Sequence, residues 1–357
     1  MKNTRTKSIL GMLAVLFFIT GCSKGIKGDG ITVIDEPDKD KGNPVISVVK
    51  IEGHGPLEIT DWLDENILVV SKENSSLEKL TLTELSGTFP RSLYLYDTDK
   101  DTFTLLKAQE SGNLGGATLS SQGKSLLYYE FTLGDPTFHV MNMDTLSTFT
   151  ISEAMSAAFA SDDTVVGASY NGGAYMADSI GSISKIEELS AESLVIVEKI
   201  GNLVYYNTGS DEGLWRLDLM SKEKISLSMN NVYGLYPSPD GKQLAAVQSD
   251  GTKTTLTLYD AEGKNPKLLA EGAEIKGVSW SPDQRIIAYS LKSDVNGRTL
   301  NSLNVHDLLT GDSTQLAVDV DAHLTTWSPS GEKIAYTEYT GSEYKSSIVT
   351  LDFSLDK

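Results

Sequence analysis

Few residues in this 357-residue chain are of the types that carry chemistry, and their spacing argues against most of it. Four histidines, His54, His139, His306 and His323, are far apart and show no metal-ligand spacing. Two or three could serve one metal only if the fold brought them together at a common centre. No Gly-x-Ser-x-Gly elbow is present, so no serine has a visible activating frame. Asp97-Thr98-Asp99-Lys100-Asp101 imitates the start of a calcium loop, in which alternate carboxylates face one cation. Thr102 and Ala108 then stand where that loop needs Gly and Glu, so a solvated hairpin turn is the better reading. Trp62, Trp215, Trp280 and Trp327 are expected to pack in the core or between units rather than to cage a ligand.

The elements that must position these residues are set by a repeat. Tyr236-Pro237-Ser238-Pro239-Asp240-Gly241 returns as Trp280-Ser281-Pro282-Asp283-Gln284 and again as Trp327-Ser328-Pro329-Ser330-Gly331, with the serines 43 and then 47 residues apart. Pro presets φ at the second position of a turn, Asp or Ser tolerates the third, and Gly releases the chain into the next strand. A period in the forties with two flanking strands marks propeller blades. Fainter copies begin at Trp62 and Leu119, and Phe159-Ala160-Ser161-Asp162-Asp163 is a degenerate one, with Ser161 aligned on Ser120. The fold is therefore expected to be all-β, a single propeller of four-stranded blades. Units start near 57, 115, 156, 193, 232, 274 and 321, giving seven blades, with six or eight as alternatives. The last unit has only three strands of its own. The orphan segment 45–51 (Val45-Ile46-Ser47-Val48-Val49-Lys50-Ile51) is its natural fourth and would close the ring.

The Trp-Ser-Pro-Asp-Gly-x-x-Ile-Ala-Tyr pattern resembles the TolB-type (PD40, WD40-like) propeller repeat, with clear copies at 236–246, 280–289 and 327–336. That resemblance implies the fold and is nearly silent on function. TolB-type proteins carry an additional N-terminal α/β domain, and prolyl-oligopeptidase-type propellers carry a hydrolase domain; the residues outside the repeats here are too few for either.

The N-terminus has its own pattern. Lys2, Arg5 and Lys7 precede a short apolar run from Ile9 to Ile19, a signal-peptide arrangement too short to span a bilayer comfortably. It ends in Ile19-Thr20-Gly21-Cys22, which resembles the lipobox of bacterial lipoproteins. The resemblance implies a covalent lipid on Cys22 and cleavage just before it. Expected domains are thus a signal peptide over 1–21, a lipidated Cys22 and flexible tether over 22–44, and the propeller over 45–357. The tether is rich in Gly, Asp and Lys. Location on the extracytoplasmic side of a bacterial cell membrane follows from the anchor. Cys22 is the only cysteine, so no intramolecular disulfide can form.

The full chain has 30 Lys+Arg against 49 Asp+Glu and a formal charge of −19. Such an acidic balance argues against nucleic acid as a partner, which needs a basic footprint. In a four-stranded blade, the loops between strands two and three share one face with the blade-to-blade connections. Those loops vary in length, at about 71–92 in blade 1 and 292–301 in blade 6, and recognition is usually built on such variation. The blade-to-blade connections are acidic, with Glu110, Glu153, Glu187, Glu188, Glu192, Glu271, Glu274, Asp319 and Asp321, a candidate rim for a basic or cationic partner. The expected role is a monomeric, non-catalytic protein-binding or scaffold module of the cell envelope, with no cofactor beyond the lipid. The alternative is a hydrolase or lyase with polar residues, and a divalent metal among them, in the central channel. Solute or sugar capture for a transporter is a third and weaker reading.

Overall fold

The computed structural model describes residues 45–81, 87–209, 211–295 and 297–353, so Cys22 and the tether lie outside the described residues. Seven four-stranded antiparallel sheets follow one another around a ring, making a seven-bladed propeller. Blades 1 to 6 cover 58–107, 113–151, 158–186, 194–226, 232–272 and 274–318. Blade 7 combines 322–352 with the strand Ser47–Gly53, which pairs with Tyr344–Asp352 from Ser47 opposite Asp352 to Gly53 opposite Ser347. Ring closure by the N-terminal segment is thus as expected, with the strand running two residues further than 51. Among the described residues the only helical element is a 3₁₀ turn, Glu187–Leu189.

There is no central core. Seven apolar clusters occupy the seven seams between adjacent blades, such as Val69, Leu93, Leu114 and Leu126 between blades 1 and 2. Each sheet is therefore covered on both faces. This is why the second strands read as unbroken apolar runs rather than alternating ones: Leu68-Val69-Val70, Leu244-Ala245-Ala246 and Ile286-Ile287-Ala288 are fully buried. Trp62 and Trp280 stitch seams, donating their indole N–H to Thr326 O and Tyr236 O of the preceding blade (3.2 and 2.9 Å).

The repeat motif works through its serine. Ser238, Ser281 and Ser328 are buried. Each hydroxyl accepts the backbone N–H five residues on, from Gln243, Ile286 and Lys333 (3.0, 2.9 and 3.1 Å). The third residue after each serine lies in the left-handed region, at Gly241, Gln284 and Gly331 (φ 70, 62 and 76°), which is why Gly is common there. In blade 3, Ala160 holds the serine's place, bonding to Thr164 O (2.8 Å), so the copy starts one residue earlier than the alignment on Ser161 and lacks the hydroxyl clamp. The inner strand of that blade is only Ala158–Phe159. Its chain crosses Gly167, where an added Cβ would lie 1.9 Å from Ser156 O.

Two loop expectations need correction. The blade 6 segment 292–301 is not a loop: the strands Ile286–Val295 and Arg298–Asp307 stay paired up to Val295 opposite Arg298, so it is a projecting hairpin. In blade 1 the strands Ile67–Glu73 and Arg91–Asp97 shorten the expected 71–92 loop to 74–90.

Candidate functional site

Chain direction assigns two faces. The turns between strands one and two, and between three and four, lie on one face; the blade-to-blade connections, the ends of the connection from Glu73 to Arg91 and the blade 6 hairpin lie on the other. Ser47–Gly53 runs towards the second face, so the polypeptide enters the ring at Val45 on the turn face.

The acidic rim residues all fall on the variable face, and several are already partnered. Glu188 pairs with Lys222 (2.9 Å), Glu192 with Lys224 (3.6 Å), Glu271 with Lys253 (2.7 Å) and Asp321 with Lys276 (2.8 Å). Glu274 lies 3.8 Å from both Lys276 and Lys292. Glu153 accepts a hydrogen bond from the Asn171 amide and, like Asp319, sits at a positive-φ turn position. Glu187 opens the 3₁₀ turn, and Glu110 lies in the connection from blade 1 to blade 2. The rim is thus a band of lysine-paired and turn-forming carboxylates spread around the ring. Asp97 is a turn residue too: its Oδ1 accepts the N–H groups of Asp99 and Lys100, and its other oxygen pairs with Lys100 (2.6 Å).

The histidines stay apart. His54 lies beside Tyr96, His139 stacks on Tyr128, His306 bonds Ser313 (2.8 Å), and His323 faces Tyr344. Burial lowers the pKa of all four.

The ionisable groups that do converge sit where blades 7, 1 and 2 meet, near the axis on the variable face. Glu58 begins the inner strand of blade 1 (Glu58–Trp62) and is 5% exposed, and its carboxylate accepts no hydrogen bond among the described residues. Burial pushes its pKa up to about 7, only partly offset by the Arg91 guanidinium. Arg91 begins the third strand and lies with its guanidinium 4.3 Å from the Tyr344 ring of blade 7. It is held by Ser71, donating from Nε to the hydroxyl (3.1 Å) and from a terminal nitrogen to the carbonyl. Its backbone N–H is fixed by the buried Asn113 side chain of blade 2 (3.0 Å). Tyr129 completes the group, its phenol held neutral by burial and by Glu58. Its ring lies across Gly116, where a Cβ would meet it at 2.0 Å. The arrangement offers one carboxyl poised near neutrality, one half-buried cation and two phenols.

Deeper towards the turn face, Asp61 ties three blades together. It accepts hydrogen bonds from Trp62 N (2.8 Å), from Leu119 N of blade 2 (2.7 Å) and from the Thr326 hydroxyl of blade 7 (3.2 Å). Across the ring, Glu198 on the inner strand of blade 4 is pushed up to about 8 by burial alone. The other side of Tyr129 is mostly apolar: Leu119, Leu127, Phe138, Ala157, Ala158 and Phe159, with Thr118, line a solvent-open cleft of about 340 Å³ between blades 2 and 3.

No protein-family profile and no curated protein matches the sequence. Solved structures do match. An oligogalacturonate lyase in complex with manganese superposes with TM-score 0.62 at 14% identity, over 92% of this chain and 98% of that one. An oligogalacturonate lyase from Vibrio parahaemolyticus gives 0.61 at 12% identity, over 88% of this chain and 100% of that one. TolB from Acinetobacter baumannii gives 0.49 at 16% identity, over 71% and 64%. At these identities the likeness is one of fold. The chain is a seven-bladed β-propeller.

Glu58, Arg91, Asp61 and Glu198 were not singled out from the sequence. The available signal was an acid placed on an inner strand beside residues that must be buried, as in Glu58-Ile59-Thr60-Asp61-Trp62.

Proposed function

We propose that this propeller is a membrane-anchored, extracytoplasmic lipoprotein of the bacterial cell envelope that serves as a non-catalytic protein-binding module. One observation supports this reading above the others. The polypeptide enters the ring on the turn face, while the long connection between Glu73 and Arg91 and the blade 6 hairpin leave from the opposite face. A lipid on Cys22 would then be tethered to the regular side of the ring, an attachment that permits the variable side to stay free for a partner. The acidic rim residues belong to that free side as its edge. Their pairing with lysines makes them a source of orientation and specificity more than of affinity.

The test uses intact cells. Cys22→Ala is expected to move the protein from the membrane to the soluble fraction. Replacing 74–90 by a short Gly-Ser turn is expected to leave it anchored and folded but to lose its crosslinked partner. A partner retained by that variant, or captured by neither form, would sink the binding role.

A second reading has the Glu58–Arg91 group behind it together with the likeness to the lyases. A base near neutral pKa beside a half-buried cation suits proton abstraction next to a carboxylate. The manganese of one of those lyases finds no matching residues, because no three His, Cys, Asp or Glu side chains gather among the described residues. Release of unsaturated product from oligogalacturonate, lost in Glu58→Gln, would transfer the conclusion to this reading.

A further inference from the structure

The turn face carries a feature that the binding role does not use. Each hairpin between strands three and four is built on an Asp or Asn whose Oδ1 accepts backbone N–H groups within the turn, which fixes the tip rigidly. In blades 3, 4 and 6 the carboxylates of Asp178, Asp218 and Asp307 accept the N–H of Ile180, Met220 and Leu309 (3.0, 2.7 and 2.9 Å). The side chain held up at that position is apolar in all three cases, and it is 87%, 76% and 74% exposed respectively. In the blade 1, 2 and 5 hairpins the same position is held by Asp99, Asp144 and Glu262, so the apolar tips belong to blades 3, 4 and 6 alone.

Scattered exposed apolar residues need no explanation singly. Here they share one position of one turn type on one face. Blade 3 lies three blades from blade 6, and blade 5 separates blade 4 from blade 6, so the tips are spread over the face instead of forming a contiguous patch. A protein partner buries a contiguous patch; separated, rigid apolar points at one level suit a flat, soft surface. The blade 4 tip is charge-balanced as well, with Lys222 and Lys224 beside Asp218 and Glu223. The chain joins the ring on this same face, at Val45. Extended at roughly 3.4 Å per residue, the tether over 22–44 can reach well past the ring, so it permits this orientation without forcing it.

We propose that the turn face rests on the lipid bilayer, with Ile180, Met220 and Leu309 dipping into the interfacial region. This rests on the lipid-anchor reading. The acyl chains supply the anchoring and raise the local concentration of the face at the membrane; the tips then choose which face turns inward. The variable face, with the 73–91 connection and the blade 6 hairpin, is presented away from the membrane.

Cys22 is the only native cysteine and is acylated in this reading, so an introduced thiol can be labelled uniquely. The acylated full chain carrying Ile180→Cys, Met220→Cys or Leu309→Cys, each labelled with an environment-sensitive fluorophore, is reconstituted on phosphatidylethanolamine–phosphatidylglycerol vesicles. Leu133→Cys is the control, a 55% exposed leucine in the blade 2 loop of the opposite face. The expected result is a blue-shifted emission at the three tips. They should also show several-fold less quenching by aqueous iodide than Leu133→Cys, and stronger quenching by lipid-borne nitroxide. Equal iodide quenching at tips and control overturns the proposal. So does protection that appears in native envelopes but not on vesicles, since that assigns the face to a protein. Cys22→Ala separates the two readings. If it stays in the membrane fraction, the anchor reading fails. If it is released while tips on the wild-type background remain open to iodide, only the docking fails.

Discussion

The seam where blades 7, 1 and 2 meet and the seam between blades 2 and 3 are built from the same repeat and solve the same problem differently. The first is closed by polar groups. Asp61 bridges its three blades, Arg91 spans from Ser71 to Tyr344, and the Thr337 hydroxyl bonds both to Ile59 N (3.2 Å) and to Ile59 O (3.1 Å) across the junction of the two termini. The second relies on apolar contact and leaves a cleft of about 340 Å³, open to solvent, beside a two-residue inner strand. The ring is joined through hydrogen bonds where the chain's ends meet, and it is slack where the repeat has decayed. Polar closure gives geometric definition at the cost of burying ionisable groups. The apolar seam avoids that cost and is the looser of the two.

The sharpest way to break this contrast is at Asp61. Asp61→Ala removes one carboxylate and orphans two backbone N–H groups and a hydroxyl. A loss of about 3 to 4 kcal/mol in unfolding free energy is expected, from roughly 1 to 3 kcal/mol per buried unsatisfied group with partial relaxation. Urea denaturation checks it. A loss under about 1 kcal/mol would mean that the apolar clusters alone close this seam.

Glu58 gives the next largest effect, and its sign follows from linkage. Its folded pKa is raised to about 7, so the folded state holds this proton more tightly than the unfolded chain does. The contribution is fully present below the unfolded value near 4.5 and is lost as pH rises to about 7. About 2 to 3 kcal/mol is at stake between pH 5 and 8. Glu198 and Asp61, also raised, act in the same direction. The four histidines, lowered by burial, act in the opposite direction below about pH 6.5, becoming more favourable as pH rises. The informative quantity is therefore the difference between the wild-type protein and Glu58→Gln. The variant is expected to match wild type near pH 5 and to exceed its denaturation midpoint at pH 8. Parallel curves across that range would show that Glu58 is solvated and that the seam is less closed than it looks.

The two seams were unequally legible. Ser-Pro-Asp-Gly turns announce blades because the serine clamp and the left-handed third residue after it have strict local requirements, and local requirements are written locally. The closing strand was legible because a three-stranded last unit leaves an edge that must be paired. Blade 3 was read one residue off, since Ala160 keeps the clamp's backbone bonds without its hydroxyl. The blade 6 hairpin reads as a loop in the sequence because Lys292-Ser293-Asp294 carries no apolar pattern, although its strands stay paired up to Val295 opposite Arg298. The Glu58–Arg91–Tyr129–Tyr344 group was invisible for another reason. Its members come from three blades, and Glu58 and Tyr344 become neighbours only when the ring closes.

The slack seam yields the smallest and most diagnostic effect. Ala158 borders the cleft on the inner strand of blade 3, and its neighbours Met155, Ser156 and Ala157 bring no β-branched residue to that strand. Ala158→Val adds a side chain that favours extended backbone and covers part of the open cleft, so a gain of about 0.5 to 1 kcal/mol is expected. Gly116→Ala in the opposite wall should do the reverse by about 2 kcal/mol, because its Cβ would meet the Tyr129 ring at 2.0 Å from a backbone with φ near +56°. Thermal denaturation of the two variants thus asks where the slack lies. If Ala158→Val gains and Gly116→Ala loses, the hollow belongs to the decayed blade 3 strand, and blade 2 is as tightly specified as the polar seam on its other side. If both lose, the cleft is shaped on both walls and the contrast between the seams is one of chemistry rather than of tightness.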